Sequence, residues 1–150
     1  MADEDFRVAE LLLGGYTCSH VLVQIGLDAQ DKRNPDLLRA MSGLGNGMGA
    51  GMACGALTGG CCLIALYAGM DGEGGEEHPL LPLMLDEYVR WFRAECGRYG
   101  GTDCAQIMQD DPQLKQQRCP GLVAAAVKKA CGVLEANGFE LDGVSGAEQG

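Results

Sequence analysis

None of the eight cysteines of this chain forms a Cys-x-x-Cys pair. That absence removes the ligand spacing of a zinc finger and the redox motif of a thioredoxin-like site. Basic residues are also scarce: 11 Lys and Arg stand against 21 Asp and Glu, and the net charge is −10. Without a basic stripe the chain lacks the surface that neutralises phosphates, so no nucleic-acid partner is expected. There is no uninterrupted apolar run of bilayer length either. The longest candidate, Ala53 to Met70, is broken by Thr58 and four glycines and reads as a buried core helix, with no membrane insertion. No alternating strand pattern and no internal repeat are visible. Residues 1–10 are acidic where an export signal needs a basic start and an apolar stretch, which sets the expectation of a cytoplasmic chain. In that compartment thiols are kept reduced, so clustered cysteines point to metal ligation or redox chemistry before structural bridges.

What is present is helical. At 150 residues the chain suits one domain burying about two-thirds of its unfolded surface. The pattern predicts a single all-α bundle of about five to seven helices, its ordered core over about 4–138 and a flexible tail over 139–150. A first helix runs from Glu4 to Leu13 and stops at Gly14-Gly15. Thr17 is placed to cap a second, Cys18 to Leu27, and Pro35 opens a third that ends at Gly43. A glycine ladder at 43, 45, 47, 49 and 51 then leads into Cys54-Gly55-Ala56-Leu57-Thr58-Gly59 and an apolar helix ending at Gly69. After the acidic loop 71–77, Pro82 begins the longest amphipathic stretch, through Leu85, Tyr88, Val89, Phe92 and Cys96. Thr102 is expected to cap a short helix holding Cys104. Pro120, read as a first helical position, makes Cys119 the cap of the last helix, which stops at Asn137-Gly138.

On this reading Cys18, Cys54, Cys104 and Cys119 all open helices. The unpaired N–H groups there carry roughly half a positive charge and favour thiolate over thiol; Cys54, placed in the first turn of its helix, is expected to have a lowered pKa. Four such thiols brought together would bind a cationic centre or an iron–sulfur cluster, the same N–H groups hydrogen-bonding to sulfur. Cys61, Cys62, Cys96 and Cys131 read as core residues. His20, two residues after Cys18, faces another side of the helix and reads as a supporting or surface residue, and His78 in its acidic loop reads as exposed. Gly45-x-Gly47-x-x-Ala50 superficially matches a dinucleotide fingerprint, but no strand precedes it. The alternating glycines instead suit backbone passing tightly over the thiols. The pairs Asp86-Glu87 and Asp110-Asp111 are read as solvated, with no acid–base role.

The order and context of Tyr16-Thr17-Cys18, Gly45–Gly51 with Cys54–Gly59, Gly101-Thr102-Asp103-Cys104, and Cys119-Pro120 resemble the C-GCAxxG-C-C redox-active proteins, defined by four cysteines of which one lies in the glycine motif. The resemblance extends to the amino-terminal part of split-Soret cytochromes, where related cysteines are associated with an iron–sulfur centre. A Cys-x-x-Cys-His is missing, so their covalent haem is not implied. The resemblance implies that Cys18, Cys54, Cys104 and Cys119 converge on one redox site. The leading expectation is an iron–sulfur cluster, of the 2Fe-2S type, that passes single electrons to a partner protein, with Gly49, Gly51, Gly55 and Gly59 lining it. Two alternatives stay open: a thiol/disulfide relay with Cys61 or Cys62 as resolving partner, and a structural zinc site serving folding or protein interaction. The oligomeric state is left open between monomer and homodimer.

Overall fold

Helix starts in this chain are marked by capping residues, and most lie where those residues stand. The computed structural model describes residues 3–141. Among them are seven α-helices and no strand: α1 (Asp3–Leu13), α2 (Cys18–Ala29), α3 (Pro35–Met41), α4 (Gly55–Ala68), α5 (Leu81–Glu95), α6 (Cys104–Met108) and α7 (Pro112–Ala136). Thr17 caps α2, its backbone N–H donating to His20 Nδ1 at 3.1 Å. Asn34 caps α3 through its side chain, which accepts from the Leu37 N–H at 3.0 Å. At α6 the cap is Asp103, not Thr102: Gln106 reaches back to the Asp103 N–H at 3.0 Å.

The largest departure from the sequence reading lies in the last helix. Pro120 does not open a helix, and Cys119 is not a cap; both lie inside α7. The helix begins eight residues earlier because Asp111-Pro112 is itself a complete start. The Asp111 carboxylate accepts from the Gln113 N–H at 2.9 Å and proline occupies the first position. A proline in mid-helix loses one hydrogen bond to the residue four before it, and α7 continues through that loss.

The core gathers around α4, which packs against α2 on one side and against α5 and α7 on the other. Its sequence is apolar on nearly all sides, as a central helix must be. Three of its glycines fix how near the neighbours come. A Cβ at Gly59 would lie 2.9 Å from Ser19 Cα, and one at Gly55 would lie 3.0 Å from the Ser19 nitrogen, so α2 crosses α4 at backbone distance. Ser19 is fully buried in that crossing, its hydroxyl donating to the Met41 carbonyl at 2.9 Å. A Cβ at Gly60 would lie 2.0 Å from Tyr88 Oη; the glycine makes room for a tyrosine, 0 % exposed, whose hydroxyl donates to the Ala56 carbonyl at 2.7 Å. Burial raises the Tyr88 pKa well above its ordinary value, so the hydroxyl keeps the proton it donates. On the outside, Arg7 Nε donates to Asp28 Oδ2 at 2.9 Å and ties α1 to α2.

Cys96 and Cys131 are buried in the main core, Cys61 is half-buried against it, and Cys62 packs beside Val23, Leu27 and Met41, as core residues should. His78 is not fully exposed: it is half-buried with its ring edge-on to Phe139 at 5.0 Å. Phe139 also meets Tyr67, and Leu141 is buried, so the packed chain extends at least to 141. The remainder of the expected tail, 142–150, lies outside the described residues. Gly60→Ala should therefore force the Tyr88 ring out of its place, at about 1–3 kcal/mol for overpacking. Thermal unfolding would read this as a clear fall in Tm, and an unchanged Tm would show that the Tyr88 position is not fixed.

Candidate redox site

The thiols are placed by three short local devices. Thr17 and His20 hold the start of α2, which puts Cys18 at its first position. Cys54 is the residue just before α4, and its sulfur accepts the Ala56 N–H at 3.4 Å; it caps the helix, where the sequence reading put it in the first turn. An isolated antiparallel bridge pairs Ala53 with Asp103. Its hydrogen bonds run from the Cys54 N–H to the Thr102 carbonyl at 3.0 Å and from the Cys104 N–H to the Met52 carbonyl at 2.7 Å. The bridge thus ties the start of α4 to the start of α6 and brings Cys54 beside Cys104.

Cys18, Cys54, Cys104 and Cys119 line one cavity of about 600 Å³. Three stand at helix starts as expected; Cys119 reaches the cavity from the side of α7. Cys54 and Cys104 are 4 % and 6 % exposed and form part of the floor, whereas Cys18 and Cys119 are half-buried. The walls are apolar, with Leu12, Ile107 and Val123 among them, and among the described residues no Asp or Glu lines the cavity. Lys115, one turn before Cys119, is the one charged lining residue among the described residues. Position 115 was missed because its relation to Cys119 exists only if the helix starts before it, at Pro112. Cys61 and Cys62 are not among the lining residues.

Protons are distributed in an order the sequence did not suggest. Cys54 hydrogen-bonds to both Cys104 and Cys18, and these bonds, with burial, push its pKa up. The same bonds lower its neighbours. Cys18 comes down to about 7, first through Cys54 and then, against burial, through the N–H groups near it, among them those of Ser19 and Gly55. Cys104 is lowered as well, chiefly by Cys54. Cys119 rises to about 11 by burial and by the two thiols facing it, with Lys115 pulling the other way. The expectation that the helix start lowers the Cys54 pKa is therefore corrected: the helix end favours its thiolate, but a sulfur set between two others serves best as their donor.

The four glycines divide. At Gly55 a Cβ would lie 2.7 Å from Cys18 Sγ, so this glycine lies directly against the thiols. Gly59 acts one turn further on, at the α2 crossing. Gly51 has φ +72° and lies against Ala105 of α6, and Gly49 has φ +69° with open space around its Cα. Gly49 shapes the left-handed run that begins at Asn46 and does not touch the sulfurs. His20 is committed elsewhere: besides Thr17 it meets Ser42 Oγ through Nε2 at 2.9 Å, so it completes a helix cap and does not join Cys18. Among the described residues no group of three or more His, Cys, Asp and Glu side chains is arranged to hold a metal ion. No helix is long and apolar enough to cross a membrane, again among the described residues.

The helical bundle thus gathers four free cysteines around one apolar cavity. The chain belongs to the family described as "Putative redox-active protein (C_GCAxxG_C_C)", whose model matches residues 16–133. That name spells Gly-Cys-Ala-x-x-Gly, and here the first two stand in the opposite order, Cys54-Gly55. The exchange leaves a glycine at the position where any Cβ would strike Cys18. No curated protein and no solved structure matches the chain.

In the reduced, metal-free chain, alkylation of Cys18 by iodoacetamide should rise with pH through about 7, because the thiolate is the reactive form. Gly55→Ala should separate Cys18 from Cys54 and move that rise back toward the ordinary thiol range. Peptide mapping of the alkylated chain checks both; a Gly55→Ala profile identical to the wild type would show that the Cys54 hydrogen bond does not set the reactivity of Cys18.

Proposed function

We propose that the protein is a single-electron carrier whose Cys18, Cys54, Cys104 and Cys119 thiolates hold an iron–sulfur cluster. The observation that carries this reading is that four thiols from four separate elements line one apolar cavity that, among the described residues, no carboxylate lines. A two-iron cluster is the smallest that four thiolates complete. A single zinc ion fits less well. It needs four sulfurs converging on one point at about 2.3 Å, and no such convergence of three donors exists among the described residues.

Bound there, the cluster would supply one-electron redox chemistry at a potential set by its surroundings. The chain's own part is to hold and shield the thiolates. The Ala56 N–H already points at Cys54 Sγ, and N–H groups at the start of α2 and α4 favour charge on Cys18. Ile107 and Val123, each 1 % exposed, keep water from the floor, and Lys115 offsets negative charge beside Cys119. A redox protein as electron partner and a cytoplasmic setting belong to the same proposal.

A second reading has its own observation. Cys18 and Cys54 are hydrogen-bonded and Cys18 is acidified, which is what a dithiol that closes to a disulfide needs. Anaerobic purification with iron, acid-labile sulfide, zinc and thiol counts separates the two. Matching iron and sulfide with a visible charge-transfer band support the carrier; a colourless chain that loses two thiols on mild oxidation supports the dithiol. Single Ser substitution of Cys18, Cys54, Cys104 or Cys119 should remove most bound iron, whereas Cys131→Ser should retain it at a packing cost of about 1 kcal/mol or more. Full iron content in the Cys119→Ser chain would show the ligand set to be wrong.

A further inference from the structure

The cavity continues beyond the sulfurs. Its floor, with Cys54, Cys104, Ile107 and Val123, is buried, whereas Leu13, 89 % exposed, and Pro112, Lys115 and Gln116 form an open mouth. A volume of about 600 Å³ with apolar walls and few polar groups is of the size that takes small organic ligands, about 300–1,000 Å³. In a chain of net charge −10 no carboxylate lines the cavity among the described residues, and Lys115 is the one charged group among those that do. Among the described residues Lys115 makes no ion pair. Four residues along α7 separate it from Cys119, about 6 Å of helix, so an anion held at the ammonium reaches the thiols with a short apolar body between.

We propose that the cavity is a binding site for a small organic anion, a carboxylate on an apolar body, with the carboxylate at Lys115 and the other end at the thiols. The proposal rests on the reading of this cavity as the redox site, and it holds for either form of that chemistry. In the metal-free chain the event to observe is thiol–disulfide exchange: a cavity thiolate attacks one sulfur of an aromatic disulfide, the new S–S bond forms a mixed disulfide, and the aryl thiolate leaves with the electron pair of the broken bond. The disulfide is the oxidant and the protein thiolate is oxidised.

The test uses the full chain, reduced and freed of metal, with two such disulfides as probes: dithiobis-nitrobenzoate, which carries carboxylates, and uncharged dithiodipyridine. Lys115→Gln should slow the anionic probe about fivefold more than the neutral one, whose rate carries any change in thiolate fraction common to both; Lys115→Glu should widen that ratio, whereas Lys115→Arg should restore it. In the wild type, added salt should slow the anionic probe, opposite to what the net charge of the molecule dictates. The proposal is overturned if both probes change in parallel across these variants, or if salt speeds the anionic probe in the wild type. Helix content by circular dichroism, matched across the variants, keeps a folding defect from passing as either result. Because the comparison needs no cluster, failure of the iron–sulfur assignment appears separately, in the iron and sulfide analysis.

Discussion

The nearness of α2 to α4 is the constraint on which the rest depends. Neither helix can shift outward without opening the contact between Cys18 and Cys54, and neither could come this close with a side chain at Gly55 or Gly59. Ser19 fills the crossing with a small group whose hydroxyl is satisfied by Met41, so the close approach leaves no orphaned polar atom there. A second close approach, Tyr88 over Gly60, presses α5 onto the opposite side of the same helix. The centre of the molecule is thus a helix gripped on two sides through positions where it has no side chain, and it is capped by the most buried of the four cavity thiols.

The same economy explains how a helical bundle positions sulfurs that lie far apart in sequence. Helix ends are where backbone N–H groups are free, and three of the four cavity cysteines stand at such ends. The two-residue bridge at Ala53 and Asp103 registers one helix start against another more tightly than side-chain packing alone would. The left-handed run that begins at Asn46 turns the chain sharply enough to enter that bridge. Its glycines act chiefly on the backbone path; only Gly51 comes near the elements that bear thiols.

Much of this was legible in the sequence, for a physical reason. Gly14-Gly15, Thr17, Pro35 and Gly69 act locally on the backbone, so the helices they bound fall where those residues predict, and with them the places of Cys18 and Cys54. Pro120 was misread because proline suits the first position of a helix and is costly inside one; only the stronger start at Asp111-Pro112 decides between them, and with it the setting of Cys119. The acidity of the thiols was not legible at all. The charge at a helix end is a property of one segment, whereas the order in which Cys18, Cys54 and Cys104 give up protons comes from their contacts with one another. Lys115 escaped notice because the start of α7 at Pro112 was not read, and the roles of Gly59 and Gly60 exist only once α2 and α5 are in place.

Four thiols drawn from positions 18, 54, 104 and 119 also tie the site to the order in which the chain assembles. The segment between Cys18 and Cys54 alone is a loop of about 36 residues, and contacts that close such loops form late and slow folding in proportion to their sequence separation. A covalent bond between those two sulfurs would remove from the unfolded chain conformational freedom worth about 4 kcal/mol on the loop-entropy model. Oxidation state and global stability are therefore linked through chain topology: the cavity comes into being only when most of the bundle has folded, and any bond made inside it holds the bundle shut.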